Sequence, residues 1–160
     1  MKIYKNKFIL VILFTFIITC FCNVEVLALQ RGSLEYLENR FDYSTLNPAG
    51  LIQLGDTYFE QAINTKNKLT RERLFRYAMG NYFLSSKADP KNVYPYVQLG
   101  RIYDKMNINS LAKESFYKAT NLDYYNPYAN FYFAEYYYDR RDYTRALRYY
   151  IISYQNGYEN

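Results

Sequence analysis

From residue 47 onward large apolar residues fall three and four positions apart, as in Val93, Tyr96, Val97, Leu99 and Tyr103, with polar residues between them. That spacing matches the turn of an α-helix and gathers the apolar set on one stripe. It predicts six helices, over 47–63, 71–87, 93–106, 110–121, 127–139 and 143–155. Asn47, Asn92 and Asn126 each stand just ahead of a stripe, and proline follows two of them, at Pro48 and Pro127. An Asn side chain accepts from the unpaired amides of a first helical turn, and proline removes one such amide and presets φ. Asp142 and Thr70 are candidate caps for two of the remaining helices.

The stripes repeat. Leu99, Gly100, Tyr103, Ala112, Phe116 and Ala119 return 34 residues later as Phe133, Ala134, Tyr137, Ala146, Tyr150 and Ser153, small for small and large for large. A fixed period of this length marks a repeat architecture. An earlier unit reads Leu51, Leu54, Gly55 and Tyr58, then Ala78, Tyr82, Ser85 and Pro90. Ala78 and Tyr82 keep the 34-residue offset to Ala112 and Phe116, but Gly55 and Gly100 are 45 apart, so eleven extra residues lie between the two helices of the first unit. Small residues at Gly100 and Ala112 mark close approach of the paired helices. Such hairpins leave an apolar face uncovered, so successive units stack and stability becomes a sum of neighbour interfaces.

The order Tyr96-x2-Leu99-Gly100-x2-Tyr103, then Ala112-x3-Phe116-x2-Ala119, resembles the tetratricopeptide repeat. The next unit keeps size and polarity throughout except that Asn130 replaces the large aromatic. The resemblance spans residues 47–156 and implies an all-α solenoid of three helix-turn-helix repeats: 47–90, with its eleven-residue insertion, 91–124 and 125–157. It also implies that the first helix of each unit lines a concave surface. Carried over by position, that surface comprises Ile52, Asp56 and Phe59; Tyr94, Val97, Arg101 and Lys105; and Tyr128, Phe131, Glu135 and Tyr138. Some arrays of the family clamp a terminal carboxylate with Lys and Asn there, but these places hold Ile52, Asp56, Val97, Arg101, Phe131 and Glu135. An apolar or aromatic ligand rimmed by mixed charge fits better.

The first residues pose a separate problem. Lys2, Lys5 and Lys7 precede an apolar run from Phe8 to Cys22, and Val26-Leu27-Ala28 supplies small residues spaced for cleavage. Residues 1–28 therefore resemble a secretory signal peptide. Two alternatives stay open: an uncleaved signal anchor, tethering the chain to a membrane through residues 8–29, and a lipoprotein leader at Cys20, whose preceding Ile17-Ile18-Thr19 matches that cleavage box poorly. Each carries the repeat domain across the cytoplasmic membrane to a periplasmic or cell-envelope location. Residues 29–46 form a linker in which Leu34, Tyr36, Leu37 and Phe41 are expected to make a short helix over the first hairpin.

Composition narrows the chemistry. The chain has no histidine, and both cysteines, Cys20 and Cys22, lie in the leader, so the repeat domain has no His or Cys for a zinc site, a nucleophile or a His acid/base, and no disulfide. Asp104, Glu114, Glu135 and Asp139 sit at helical positions beside Lys or Arg and read as solvated faces. No phosphate-cradling glycine loop occurs. Neither an enzyme nor a cofactor or metal is expected. Net charge is +5, falling to about +3 without the leader, which gives no argument for nucleic acid. Locally, Lys66, Lys68, Arg71, Arg73 and Arg76 face only Glu72, a group expected to be a solvated loop at the inserted residues or a contact for anionic headgroups or an acidic partner.

Tyrosine is the outlier, with 22 residues and no tryptophan, and seven of the eleven positions from Tyr128 to Tyr138 are aromatic. A helix so ringed cannot place every ring in one interface, and stiff amphipathic rings suit recognition of a peptide or partner helix. The leading expectation is an exported adaptor or scaffold that binds a protein or peptide in this groove. The alternatives are a structural subunit docked through its last hairpin, where Leu147, Tyr150, Ile151 and Tyr154 predict weak self-association, and a carbohydrate-binding module.

Overall fold

The structure, a computed structural model, describes residues 42–158. The leader and the expected helix around Leu34 to Phe41 lie outside those residues. A short 3-10 turn at Tyr43–Thr45 precedes six helices: α1 Pro48–Asn64, α2 Lys68–Ala88, α3 Val93–Lys105, α4 Asn109–Leu122, α5 Pro127–Asp139 and α6 Tyr143–Gln155. The described part is an all-α solenoid. Helices pair as α1 with α2, α3 with α4 and α5 with α6, and the pairs stack through α2 against α3, α4 against α5 and α3 against α5.

The helix starts follow from local chemistry. Asn47, Asn92 and Asn126 accept from the amides of Gly50, Tyr94 and Ala129, and Asp142 accepts from Arg145. Thr70 is not a cap: Asn67, three residues earlier, accepts from the Thr70 amide at 3.0 Å and starts α2 there. The turns within the second and third hairpins are copies of one another. Asn107 and Arg141 both adopt left-handed φ, 59° and 60°. Ile108 then donates to the Tyr103 carbonyl and Asp142 to that of Tyr137, the six-to-one bond that closes a helix end as the chain reverses.

The eleven extra residues of the first unit are not a loop. α1 has 17 residues against 13 in α3, and α2 has 21 against 14 in α4, so the extra residues lengthen both helices. The Asn67 cap permits this, because it moves the start of α2 toward α1 and leaves a three-residue connection, 65–67.

Within a hairpin the helices meet where one side chain is missing. A Cβ placed on Gly100 would lie 2.7 Å from the Phe116 ring, and one on Gly55 2.7 Å from the Tyr82 ring. Both rings are fully buried. The interface between the first two units gathers Phe59, Phe75, Tyr82, Leu99 and Ile102, and that between the last two gathers Tyr96, Val97, Phe116, Phe133, Tyr136 and Tyr137. Asn130, which breaks the aromatic pattern, performs the polar half of the missing ring's task. Tyr96 donates its hydroxyl to the carbonyls of Ser86 and Pro90, and Asn130 donates its amide to those of Tyr124 and Asn126, Tyr124 being one period after Pro90. Arg140 ties the third unit to the second, pairing with Asp104 at 2.7 Å and lying over the Tyr136 ring.

Phe116→Ala is expected to lower stability by about 3–5 kcal/mol in urea unfolding, as other buried Phe deletions do, and Gly100→Leu should cost more because it overpacks the helix contact. Gly100→Ala should be destabilising in the parent. In a Phe116→Ala background, where the ring is gone, the same change should become neutral or stabilising, by up to about 1 kcal/mol from helix propensity. Additive effects across that double-mutant cycle would show that the glycine and the ring do not meet.

Candidate functional site

The first helices of the three units carry the residues expected on the concave face, and the structure sorts them into three groups. Asp56 and Phe59 on α1, Tyr94 and Arg101 on α3 and Tyr128 on α5 come together. They do so with Gln98, Tyr82 and Tyr132, which sequence reasoning did not nominate. Tyr82 and Tyr94 both donate to Asp56 Oδ1, at 2.6 and 2.8 Å. Gln98 donates to the Tyr94 and Tyr128 hydroxyls at 2.5 and 3.2 Å. Arg101 donates to Gln98 Oε1 at 2.8 Å and to the Tyr128 hydroxyl at 3.0 Å. The Tyr94 and Tyr128 rings stack at 5.6 Å with 16° between their planes. The Arg101 guanidinium lies over both Phe59, at 4.6 Å, and Tyr132, at 4.2 Å, so a cation is held between two aromatic faces as well as by hydrogen bonds.

This network lines a recess of about 260 Å³ bounded by Asp56, Phe59, Glu60, Ile63, Tyr94, Gln98, Arg101 and Tyr128. A second recess of about 130 Å³ adjoins it at Arg101 and is bounded by Asp104, Lys105, Tyr132, Glu135, Tyr136 and Asp139 among others. Its rim carries mixed charge. Together they offer aromatic edges and faces, carboxylates and one fixed guanidinium. Among the described residues no three His, Cys, Asp or Glu side chains gather as they would around a metal ion.

A second group of expected residues does not reach this surface. Val97 is 0% exposed and belongs to the core between the last two units. It lies one position from Gln98, and on a helix that step turns a side chain from the groove into the interior. Phe131 is half-buried and covered by Tyr158, whose ring stacks on it at 4.1 Å. The turn after α6 delivers that ring. Gly157 takes φ 90° and Tyr158 donates to the Ser153 carbonyl, repeating the closure made at Asn107 and Arg141. Tyr150 donates its hydroxyl to Glu135, and its ring meets Phe131, so the third-unit end of the groove is filled by the protein's own rings.

The third group lies at the margin. Ile52 is half-buried one turn before Asp56 and borders neither recess. Tyr138 is exposed and packs edge-on against Tyr143, also outside both. A signal for the missed residues existed. Gln98 and Tyr132 stand four residues after Tyr94 and Tyr128, which puts them one helical turn further along the same stripe.

Three phenols in this cluster, Tyr82, Tyr94 and Tyr128, are held neutral. Burial, reinforced by the hydrogen bond that the Tyr94 hydroxyl donates to the Asp56 carboxylate, pushes Tyr94 up to about 12. Burial and the same carboxylate move Tyr82 further in that direction, and burial raises Tyr128 although the Arg101 charge opposes it.

No family model matches the chain, and no curated protein matches it. Solved structures do. A thermophilic TPR protein of Thermus thermophilus, TTC0263, superposes with a TM-score of 0.65 at 17% identity, covering 69% of this chain and 57% of that one. PilF of Pseudomonas aeruginosa superposes with a TM-score of 0.56 at 24% identity, covering 71% of this chain and 47% of that one. The chain spans about half the length of these structures. The likeness establishes the tetratricopeptide-repeat fold.

The raised phenols make stability depend on pH in one direction. Below pH 10 these tyrosines are protonated in both folded and unfolded chains, and their contribution is fully present. Above it the unfolded chain ionises first, so stability should fall as pH rises from about 10 through the Tyr94 value near 12. Asp56→Asn removes one cause of the Tyr94 shift, so tyrosinate absorbance in the folded protein should appear at lower pH than in the parent. An unchanged alkaline titration would remove Asp56 from the account.

Proposed function

We propose that this tetratricopeptide-type array is an interaction scaffold that holds a segment of a partner protein in the recess between its first and second units. The observation that carries the reading is the arrangement around Arg101. Its guanidinium, Gln98, Asp56 and the stacked pair Tyr94 and Tyr128 fix one another through five hydrogen bonds, and the guanidinium is held against the Phe59 and Tyr132 rings as well. Pre-ordered aromatic and Arg groups in a recess are what binding energy concentrates on, since little freedom remains to be lost on association. The Asp56 and Glu60 carboxylates beside the Tyr94 and Tyr128 rings favour an apolar or aromatic side chain whose neighbours donate hydrogen bonds. The aromatic and Arg composition, the absence of histidine throughout the chain and the solenoid fold support a scaffold rather than an enzyme. The leader-like residues 1–28 support export to the cell envelope, with either cleavage or retention of the apolar segment as a membrane tether.

The reading is tested by placing a photo-cross-linking residue at Glu60, on the recess rim, and at Tyr117, on an exposed part of α4, in the native host. The expected result is one defined protein captured from position 60 and not from 117. Arg101→Ala should weaken binding of that protein by at least about tenfold, an Arg anchor being worth roughly 1–2 kcal/mol or more. Arg101→Lys should recover little, because the forked contacts to Gln98 and Tyr128 need a guanidinium. Equal capture at both positions would overturn the assignment.

A further inference from the structure

Beyond the groove, the first hairpin carries a feature its two successors lack. Relative to Gly55 and Ala78, which match Gly100 and Ala112, α1 continues four residues further at its end and α2 begins seven residues earlier at its start. At 1.5 Å per residue these extensions reach about 6 Å and about 10 Å past the equivalent turn. The added segment is dominated by cations. Lys66, Lys68, Arg71 and Arg73 face a single carboxylate, Glu72, and Arg76 follows one turn later. No ion pair joins any of these five to a carboxylate among the described residues. At the same tip Leu69 is 79% exposed and Ile63 50%. Leu69, Arg73 and Arg76 fall on one stripe of α2 and together border a shallow hollow with Thr70 and Glu72.

We propose that this overlength hairpin is a docking tip for an anionic lipid surface, inserting Leu69 among the acyl chains while the surrounding Lys and Arg residues contact headgroup phosphates. Three observations favour a bilayer over an acidic protein. The apolar residue stands at the extended end of the hairpin, where a deformable surface can accept it and a protein would need a matching cavity. Cations leave the tip on several sides, from the connection at Lys66 and from different faces of α2 at Lys68, Arg71 and Arg73, which suits a plane of charge rather than a single site. The extension is also of the right length, since interfacial apolar groups sit about 5–10 Å into the headgroup boundary, and Arg stems follow them while their charged ends stay with the phosphates. Except for Ile63 at the recess edge, the tip shares no residue with the recess that carries the scaffold reading, and the proposal stands without that reading.

The test uses the full chain with Cys20 and Cys22 changed to Ser and an environment-sensitive fluorophore attached at Leu69→Cys, with Gln155→Cys as a control position on α6. Because the probe reports its own surroundings, contact is read at the tip even where the apolar leader also holds the chain to a vesicle. Vesicles of phosphatidylcholine mixed equally with phosphatidylglycerol should shift the position-69 emission to the blue, and vesicles of phosphatidylcholine alone should not. The control position should stay unchanged. Charge reversal at Lys66, Lys68, Arg71 and Arg73 to Glu should raise the lipid concentration needed for the shift by more than about tenfold, since each basic residue near an anionic surface adds to the attraction. Added salt should act in the same sense. Equal shifts on both vesicle types, or none on the anionic ones, would overturn the proposal. A shift of the same size on adding polyglutamate would overturn the lipid assignment and identify the tip as a contact for an acidic protein.

Discussion

The array depends on one contact, a small residue on the first helix of a unit facing an aromatic ring on the second. Gly55 faces Tyr82 and Gly100 faces Phe116 so closely that a methyl group at either glycine would overlap the ring. This spacing sets how near the helix axes lie, and thereby which side chains can meet in the next interface. Phe116 reaches past its own hairpin to stack on Phe133 and touch Tyr136, and Tyr82 reaches Tyr94. A ring that closes one hairpin therefore builds the seam with the following one. Packing of this kind tolerates changes in identity that preserve volume, which is why Tyr, Phe and Tyr serve at the same position of successive units.

The same choice generates the groove. Phenylalanine at position 82 would fill the hairpin as well, but tyrosine carries a hydroxyl through to Asp56, where the hydroxyl of Tyr94 also ends. Tyrosine suits places with one dry end and one polar end, and the concave surface lies along that boundary. Asp56 then joins the core of the first unit to the first helix of the second, and Gln98 with Arg101 carries the connection to Tyr128 in the third. The surface of the recess and the inter-unit connection are made from the same atoms, so a change in one would be felt in the other. Buried polar networks bear this kind of coupling because each partner left unpaired costs desolvation free energy.

Several departures from sequence expectation share a cause. Thr70 and Asn67 are both capping residues, and the structure takes Asn67, the stronger of the two. Choosing Asn67 starts α2 at Lys68 and leaves only residues 65–67 between the helices, which turns a solvated basic segment into a projecting tip. Val97 and Phe131 were placed on the groove by their positions in the repeat. The first is inside because the second and third units pack around it, and the second is covered because Gly157 turns Tyr158 back onto it. Asn130 looked like a lapse in the pattern, yet it satisfies the same loop carbonyl that its aromatic counterpart would.

The sequence by itself determined the helices, their pairing and the register of the repeat. Those follow from local signals: Asn caps, apolar stripes, and small residues matched to rings at a fixed offset. A short stretch of chain is enough to express each of them. Only the tertiary structure decided which aromatic faces are dry, which are shared between units and which remain open. From Tyr128 to Tyr138 seven rings surround one helix with nearly equal local preference, and their fates differ: Phe133, Tyr136 and Tyr137 enter the core, Tyr128 and Tyr132 edge the groove, Phe131 lies under Tyr158, and Tyr138 faces solvent. Nothing within the helix distinguishes them. The distinction comes from partners remote in the chain, Tyr94 in the preceding unit for Tyr128 and Tyr158 beyond the last helix for Phe131. Burial is a property of the neighbours that fold against a residue rather than of the residue itself.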